Sequence, residues 1–126
     1  MEPKDLVVAY TAAWNTGRPE AVASFFVPDG TITINRGEPW LGREGVAQMA
    51  EGFFADIPDL CLTWDGLRSS GDHVVYLWTF KGTHAGSGNP LKVTGWEEWD
   101  LDREGLIRHS LGWFDSDDYA RQAMAQ

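Results

Sequence analysis

Four side chains that can take up or release a proton fall in one half of the chain: His84, Glu97, His109 and Asp115. The alternation of apolar and polar residues around them predicts three consecutive antiparallel strands, at 73–84, 91–101 and 106–115. Residues two apart share a face of a strand, and the face that carries these four groups is otherwise mostly apolar. A carboxyl group among such side chains loses hydration, which raises its pKa towards neutrality. It can then act as a general base on a C–H bond next to a carbonyl group.

Glu97 is the carboxyl group placed best for this chemistry. If the first hairpin closes symmetrically over the turn sequence GSGN, Trp78 pairs with Glu97 across the two strands, and Trp99 lies beside them. We therefore expect Glu97 to be the catalytic acid or base. Groups expected to donate a hydrogen bond to an enolate oxygen are His84, His109 or Tyr10.

The second turn decides whether His109 lies on the same face as Glu97. We expect a three-residue loop that ends at Gly105 in the left-handed conformation, because this register gives the inner face the more apolar set of residues. His109 then belongs to that face. A loop of two or four residues places a different set there: Arg108, Ser110, Gly112 and Phe114. Asp115 lies about 20 Å along the strand from His109, so we expect it to cap the C-terminal segment instead.

The preceding elements must supply the opposite wall of any site. Apolar periodicity and stop signals predict, in order, helices 3–16 and 19–26, strand 31–34, helix 43–55 and strand 60–69. Residues 116–125 are expected to form a polar tail or a short helix. Helices against one face of an antiparallel sheet make an α+β domain, here a single domain spanning 1–126. Aromatic residues are expected in its core and pocket walls: Tyr10, Trp14, Phe26, Trp40, Phe53, Tyr76, Trp78, Trp99 and Trp113.

The composition narrows the class of protein. The chain has 126 residues, 19 acidic against 10 basic side chains, a formal net charge of −9 and no Lys/Arg cluster. This balance argues against a nucleic-acid partner or an anionic membrane surface and leaves small ligands open. The single Cys61 cannot form an intramolecular disulfide, and no Cys/His spacing indicates a metal site. Because no signal peptide or membrane-spanning run is visible, we expect a cytoplasmic protein.

Several short segments together resemble one protein family. They are AWNTGRPEAVASFF (13–26), GREGV (42–46), IPDL (57–60), GTH (82–84) and EGLI (104–107). In this order, over nearly the whole chain, they are similar to SnoaL-like polyketide cyclases of the nuclear transport factor 2 (NTF2) superfamily. The resemblance implies an NTF2-like cone, in which three N-terminal helices pack in a strongly curved antiparallel sheet with a central pocket.

The resemblance also implies an activity. Such cyclases close a polyketide ring by an intramolecular aldol reaction, without a cofactor, using a carboxylate on the strand after the GTH motif and a histidine in that motif. The matching positions here are Glu97, where the family usually carries Asp, and His84. The expected partner is a small apolar carbonyl compound.

Other interpretations remain open at this point. A hydrolase on the same fold would need a second pocket carboxylate to activate water. A non-catalytic binding or dimerisation module would have Glu97 satisfied by a basic neighbour such as Arg108 or His109, and His84 would be an exposed histidine at a loop edge. We also expect a homodimer through the outer sheet face. The residues that make this face apolar or small are Val75, Leu77, Thr79, Thr94 and Trp96.

Overall fold

The structure, a computed structural model, describes residues 2–125. Its elements, in chain order, are α1 Pro3–Trp14, α2 Pro19–Ala23, β1 Phe26–Ile34, β2 Trp40–Leu41, α3 Gly42–Asp56, β3 Cys61–Ser70, β4 His73–Thr83, β5 Pro90–Leu101, β6 Ile107–Phe114 and α4 Ser116–Met124. The predicted elements occur in the predicted order, although β1 begins earlier than expected and α2 ends three residues sooner. The short strand β2 was not predicted, and the C-terminal segment is the helix of the two alternatives. Within the described residues, no helix combines the length and apolar character needed to span a membrane.

The six strands form one curved, unclosed sheet in the order β2-β1-β6-β5-β4-β3. Neighbouring strands are antiparallel except β1 and β6, which pair in parallel. A parallel pair requires a long connection, and the chain between β1 and β6 runs through α3 and three other long strands. The predicted α+β, NTF2-like class is confirmed, with one parallel pairing that strand periodicity could not reveal.

Helix α1 turns a single apolar stripe towards the sheet. Its buried residues follow the helical period, as predicted: Leu6, Val7, Tyr10, Ala13 and Trp14. Pro3 in the first turn is compatible with helix initiation, and Gly17 has a φ of +70, a left-handed conformation that follows the helix end. Asn15 fixes that end to β3, because its side-chain amide exchanges hydrogen bonds of 2.9 and 2.6 Å with the backbone of Leu62. Tyr10 and Trp14 are thereby held over the middle of the sheet.

The first hairpin closes one residue earlier in the chain than the symmetric closure predicted. The His84 N–H donates to the Asn89 carbonyl at 2.9 Å, and the Gly88 N–H donates back to the His84 carbonyl at 2.7 Å, with Gly88 at a φ of +77. This shifts the pairing by two residues, so Glu97 faces Tyr76 and not Trp78. A shift of two preserves the side of the sheet on which each residue lies. The predicted inner face of β4 and β5 is therefore correct, and the predicted Trp78–Glu97 pair is wrong.

The second hairpin contains a bulge that changes the faces of β6. Its loop is the predicted one, since the Asp102 N–H donates to the Leu106 carbonyl at 2.8 Å and Gly105 has a φ of +84. Leu101 pairs with Ile107 but Asp100 pairs with His109, which leaves Arg108 as an extra residue. The residues beyond it exchange sides. Ser110, Gly112 and Phe114 therefore lie on the inner face, and the prediction that His109, Leu111, Trp113 and Asp115 share it is wrong.

The C-terminal segment forms the helix α4. The Asp115 side chain accepts a hydrogen bond of 3.0 Å from the Asp118 N–H, which confirms its predicted role as a cap. Gln122 holds the helix against β5 by bonding both the N–H and the carbonyl of Lys92, at 2.7 and 2.9 Å. Tyr119 places its ring against Phe114, with the ring centroids 6.0 Å apart. Helix α4 thus covers the part of β5 that β6 leaves free.

Candidate active site around Glu97

Glu97 lies on β5 with its side chain directed into the domain. It is 6% exposed although it is an ionisable residue. The odd-numbered residues Val93 and Trp99 of β5 are buried, while Glu98 lies on the other side of the sheet. The alternation of the strand therefore carries a carboxyl group into the core, as the sequence predicted.

The two oxygens of the carboxyl group have unequal surroundings. Oε1 accepts hydrogen bonds from the Tyr10 hydroxyl at 3.0 Å, from the Trp99 Nε1 at 3.0 Å and from the Ser110 hydroxyl at 2.9 Å. Oε2 has one longer contact with the Tyr10 hydroxyl, at 3.3 Å. Three donors thus fix the orientation of the group through Oε1. Among residues 2–125, no other donor engages Oε2, which keeps lone pairs available for a ligand.

Burial and hydrogen bonding act on the pKa of Glu97 in opposite directions. Desolvation disfavours the charged form and is the larger effect, so the pKa of Glu97 lies above its usual 4.5. The donors Trp99, Ser110 and Tyr10 stabilise the carboxylate and offset part of this rise. Within the described part of the chain, no Lys, Arg or His forms an ion pair with Glu97. The predicted direction of the shift is confirmed, and neither Arg108 nor His109 neutralises the group.

Tyr10 donates a hydrogen bond to Glu97, and its hydroxyl group stays protonated. Burial first, and then the charge of Glu97, raise the pKa of the Tyr10 hydroxyl well above 10. The Tyr10 ring is packed edge-on against Trp99, with a centroid distance of 4.9 Å, so the hydroxyl cannot easily turn away from the carboxyl group. Tyr76, which pairs with Glu97 across the strands, bonds through its hydroxyl to Thr11 instead.

An apolar cavity lies next to Glu97. Its volume is about 50 Å³. Its lining consists of Trp14, Ile32, Ile34, Met49, Phe53, Leu60, Leu62, Trp78, Phe80, Glu97, Gly112, Trp113 and Phe114. Among residues 2–125, Glu97 is the one ionisable side chain in this lining. The arrangement therefore presents one carboxyl group to an otherwise apolar space, which suits proton transfer to or from a bound apolar molecule.

Some of the predicted aromatic residues lie elsewhere. Trp14, Phe53 and Trp78 line the cavity as predicted. Trp113 is also part of the lining, although it lies on the outer face of β6 and its ring stacks on Trp96 with the centroids 4.9 Å apart. Four others are fully buried behind the lining: Tyr10, Phe26, Tyr76 and Trp99. Trp40 lies on the short strand β2, is 39% exposed and does not line the cavity.

Neither predicted histidine lies in the cavity lining. His84 lies in the β4–β5 connection, where its Nδ1 contacts the Ser87 hydroxyl at 3.2 Å and its ring packs against Tyr119. His109 is exposed on the outer side of the sheet, because the bulge at Arg108 moves the residues after it to the opposite side. Its Nδ1 lies 3.0 Å from the Thr31 hydroxyl. The expectation that His84 and His109 support Glu97 directly therefore does not agree with their positions.

The register chosen from the sequence excluded Ser110 from the inner face, and sequence reasoning did not identify the aliphatic part of the cavity. Ser110 is 1% exposed and donates to Glu97, in the register that a two- or four-residue loop would have produced. The aliphatic lining comes from Ile32, Ile34, Met49, Leu60 and Leu62. Helical and strand periodicity marked these residues as core, and nothing local indicates which core residues border a cavity. Within the described residues, no cluster of His, Cys, Asp or Glu is arranged to hold a metal ion.

Comparison with known proteins places the fold and the family. The SnoaL-like domain family matches residues 7–110. A protein from Catenulispora acidiphila DSM 44928 with a ketosteroid isomerase-like fold, solved in complex with trimethylamine, is similar in structure, with a TM-score of 0.87, 24% identity and coverage of 98% of this chain and 94% of that one. No curated protein matches the chain in sequence.

Two other solved structures share the fold. A candidate SnoaL-like polyketide cyclase from Jannaschia sp. CCS1 is 16% identical, with a TM-score of 0.84 over 100% of this chain and 97% of that one. The epoxide hydrolase/cyclase-like enzyme SalBIII, associated with pyran ring formation in salinomycin, is 18% identical, with a TM-score of 0.80 over 91% and 92%. At these identities the likeness concerns the fold, which is known to carry unrelated activities.

Proposed function

This chain belongs to the SnoaL-like domain family, and on that basis we propose that it is a cofactor-independent acid/base enzyme that enolises an apolar carbonyl compound. The observation that supports the proposal is the asymmetry of Glu97. Oε1 accepts three hydrogen bonds, while Oε2 has one long contact and the group borders an apolar cavity. A carboxyl group with a purely structural role would be expected to use both oxygens.

The chemistry follows from this environment. Oε2 removes a proton from the carbon next to the carbonyl group, the C–H electron pair forms the C=C bond of an enolate, and the negative charge moves to the carbonyl oxygen. Glu97 becomes neutral, which its burial favours. It then returns the proton, either to another carbon in an isomerisation or to the new alkoxide after an aldol ring closure. Tyr10, Trp99 and Ser110 keep the carboxyl group in one orientation throughout.

The size of the cavity sets a condition on the ligand. A cavity of about 50 Å³ holds a few water molecules, whereas a ligand that contains a ring needs a larger volume. Phe53 and Phe114 are the two partly buried aromatic residues of the lining. We therefore expect these two side chains to move when a ligand enters.

Exchange of carbon-bound hydrogen tests the proposal without knowledge of the natural substrate. The protein in D2O should speed deuterium incorporation into the methyl group of acetophenone, a flat enolisable ketone, as followed by NMR. Glu97→Gln should reduce the rate to the uncatalysed background. Glu98→Gln, one residue away on the other side of the sheet, should leave the rate unchanged. Equal rates for the wild type and Glu97→Gln would count against the assignment.

A second candidate is a non-catalytic module that binds a small alkylammonium ion. Aromatic rings and one carboxyl group in the cavity suit such an ion through cation–π and charge interactions, and the similar C. acidiphila protein was solved with trimethylamine. This function predicts tight trimethylammonium binding that Glu97→Gln removes, with no acceleration of deuterium exchange. Hydrolysis by a pair of carboxylates is not favoured, since Glu97 is the one acid in the lining formed by residues 2–125.

A further inference from the structure

Trp78 carries a buried hydrogen-bond donor without a partner. The side chain is 8% exposed, and its indole Nε1 has no acceptor among residues 2–125. Folded proteins leave few buried N–H groups unpaired, because the lost hydration is not recovered. An unpaired donor in the lining of an apolar cavity therefore indicates that an acceptor arrives with a ligand. The indole Nε1 of Trp14 also has no partner and Trp14 also lines the cavity, but Trp14 lies on α1, whereas Trp78 lies on the strand next to that of Glu97.

The position of Trp78 places this donor beside Glu97. Trp78 pairs with Gly95, and Glu97 lies two residues further along β5 on the same face. Side chains in this diagonal relation are within reach of each other when one of them is large. Both residues line the same cavity. The side chains of Trp78 and Glu97 thus border one cavity from adjacent strands.

The indole ring has little freedom to leave this position. A Cβ atom at Gly95 would lie 2.6 Å from Cη2 and 2.7 Å from Cζ2 of Trp78, so the ring rests directly on the glycine backbone. The ring also stacks on Phe80, with centroids 5.8 Å apart and planes inclined by 25°. The donor is therefore held in place before any ligand binds, which is the arrangement expected of a group that selects a ligand.

We infer that Trp78 is a specificity-determining residue whose indole N–H donates to the carbonyl oxygen of the ligand, an inference that rests on the proposed function. The ligand class is a neutral, largely apolar ketone, with the carbonyl oxygen at Trp78 and the adjacent C–H at Glu97 Oε2. When Oε2 takes the proton, the C–H electron pair becomes the C=C bond and the carbonyl π pair becomes a lone pair on oxygen. Trp78 stabilises that oxygen without transferring a proton.

Trp64 provides a matched control. It pairs with Trp78 from β3 and also has a buried indole Nε1 without a partner, but it does not line the cavity. Replacing either tryptophan by phenylalanine removes one N–H and a similar volume. Only the change at Trp78 should affect the recognition of a carbonyl oxygen.

The experiment compares acetophenone with α-methylstyrene, in which a CH2 group replaces the carbonyl oxygen in the same shape. In Trp78→Phe, the ratio of the two dissociation constants should shift by about threefold to tenfold against acetophenone, the effect of one hydrogen bond. The ratio should stay unchanged in Trp64→Phe. Loss of ring volume at either position affects both ligands alike and cancels from the ratio.

A measurement on the unmodified sequence covers the case in which Trp78→Phe fails to fold. In protein labelled with ¹⁵N in its indoles, acetophenone should move the Trp78 N–H proton downfield and α-methylstyrene should not. The inference is overturned if the ratio does not shift in Trp78→Phe, if the Trp78 proton does not respond to the ketone, or if acetophenone does not bind. Deuterium exchange into acetophenone that persists under either of the first two results would leave the role of Glu97 intact, so the two proposals fail separately.

Discussion

Replacing Glu97 by glutamine separates a catalytic carboxyl group from a structural carboxylate. Glutamine has nearly the same shape, and its amide oxygen can accept the bonds that Tyr10, Trp99 and Ser110 now donate to Oε1. The substitution therefore removes the capacity for charge while it keeps most of the hydrogen bonds. The stability difference between the two proteins should report mainly on ionisation.

The expected pH dependence has a definite sign. The pKa of Glu97 in the folded protein lies above the value of 4.5 expected for the unfolded chain, because burial disfavours the charge. The unfolded chain thus releases this proton first, and the free energy of unfolding of the wild type falls as pH rises from 4.5 to the folded pKa, then levels off. Each pH unit in that interval corresponds to about 1.4 kcal/mol. Glu97→Gln has no ionisable group at this position, so its free energy of unfolding should not show this decrease with pH.

Urea denaturation followed by tryptophan fluorescence between pH 4 and pH 8 measures the effect. Near pH 4 the two proteins should agree to within about 1 kcal/mol, since both side chains are then neutral and differ by hydrogen-bond quality alone. Above pH 4.5 the variant should become the more stable one, by an amount that grows and then stays constant. A variant that becomes progressively less stable than the wild type above pH 4.5 would show that the fold favours the carboxylate, and the reasoning would be refuted.

Three further predictions concern the neighbours of the site. Tyr10→Phe removes a donor to Oε1, so the pKa of Glu97 should rise further in an NMR titration, and the free energy of unfolding should fall by about 1 kcal/mol. Gly95→Ala should lower the thermal midpoint and destabilise the fold by about 1–3 kcal/mol, because its Cβ would lie 2.4 Å from the Trp113 carbonyl oxygen and close to Trp78. The bulge adds Trp113, which is 42% exposed and stacks on Trp96, to the apolar outer face, so light scattering of the wild type should give twice the 14.0 kDa chain mass and Trp96→Lys should give the monomer mass. A monomeric wild type would exclude this dimer.

The sequence predicted the elements well because their signals are local. The apolar stripe of α1 and the alternation of β4 and β5 both follow from the side-chain period, and they place Glu97 inside without any knowledge of the pairing partner. The hairpin pairing was wrong by two residues, yet an even shift leaves every residue on its predicted face. The burial of Glu97 was therefore predictable even though its partner across the strands was not.

The part of the site on β6 could not be predicted in the same way. The loop at Gly105 has the predicted length, but the extra residue Arg108 moves each later residue of β6 to the opposite side of the sheet. Nothing in the local sequence distinguishes a bulge there from a continuous strand, because both faces of β6 carry apolar residues. This single residue moves His109 out of the interior and brings Ser110 to Glu97. The partners of the carboxyl group thus depended on a tertiary feature.

The central claim is that Glu97 acts as a base on a ligand in the cavity. The most direct test of this claim is the pH dependence of deuterium exchange into acetophenone. The rate with the wild type should rise with pH in proportion to the ionised fraction of Glu97 and reach a plateau above a midpoint higher than 4.5. Glu97→Gln should show the background rate at every pH. A wild-type rate that equals that of Glu97→Gln, or that increases with hydroxide concentration without a plateau, would contradict the claim.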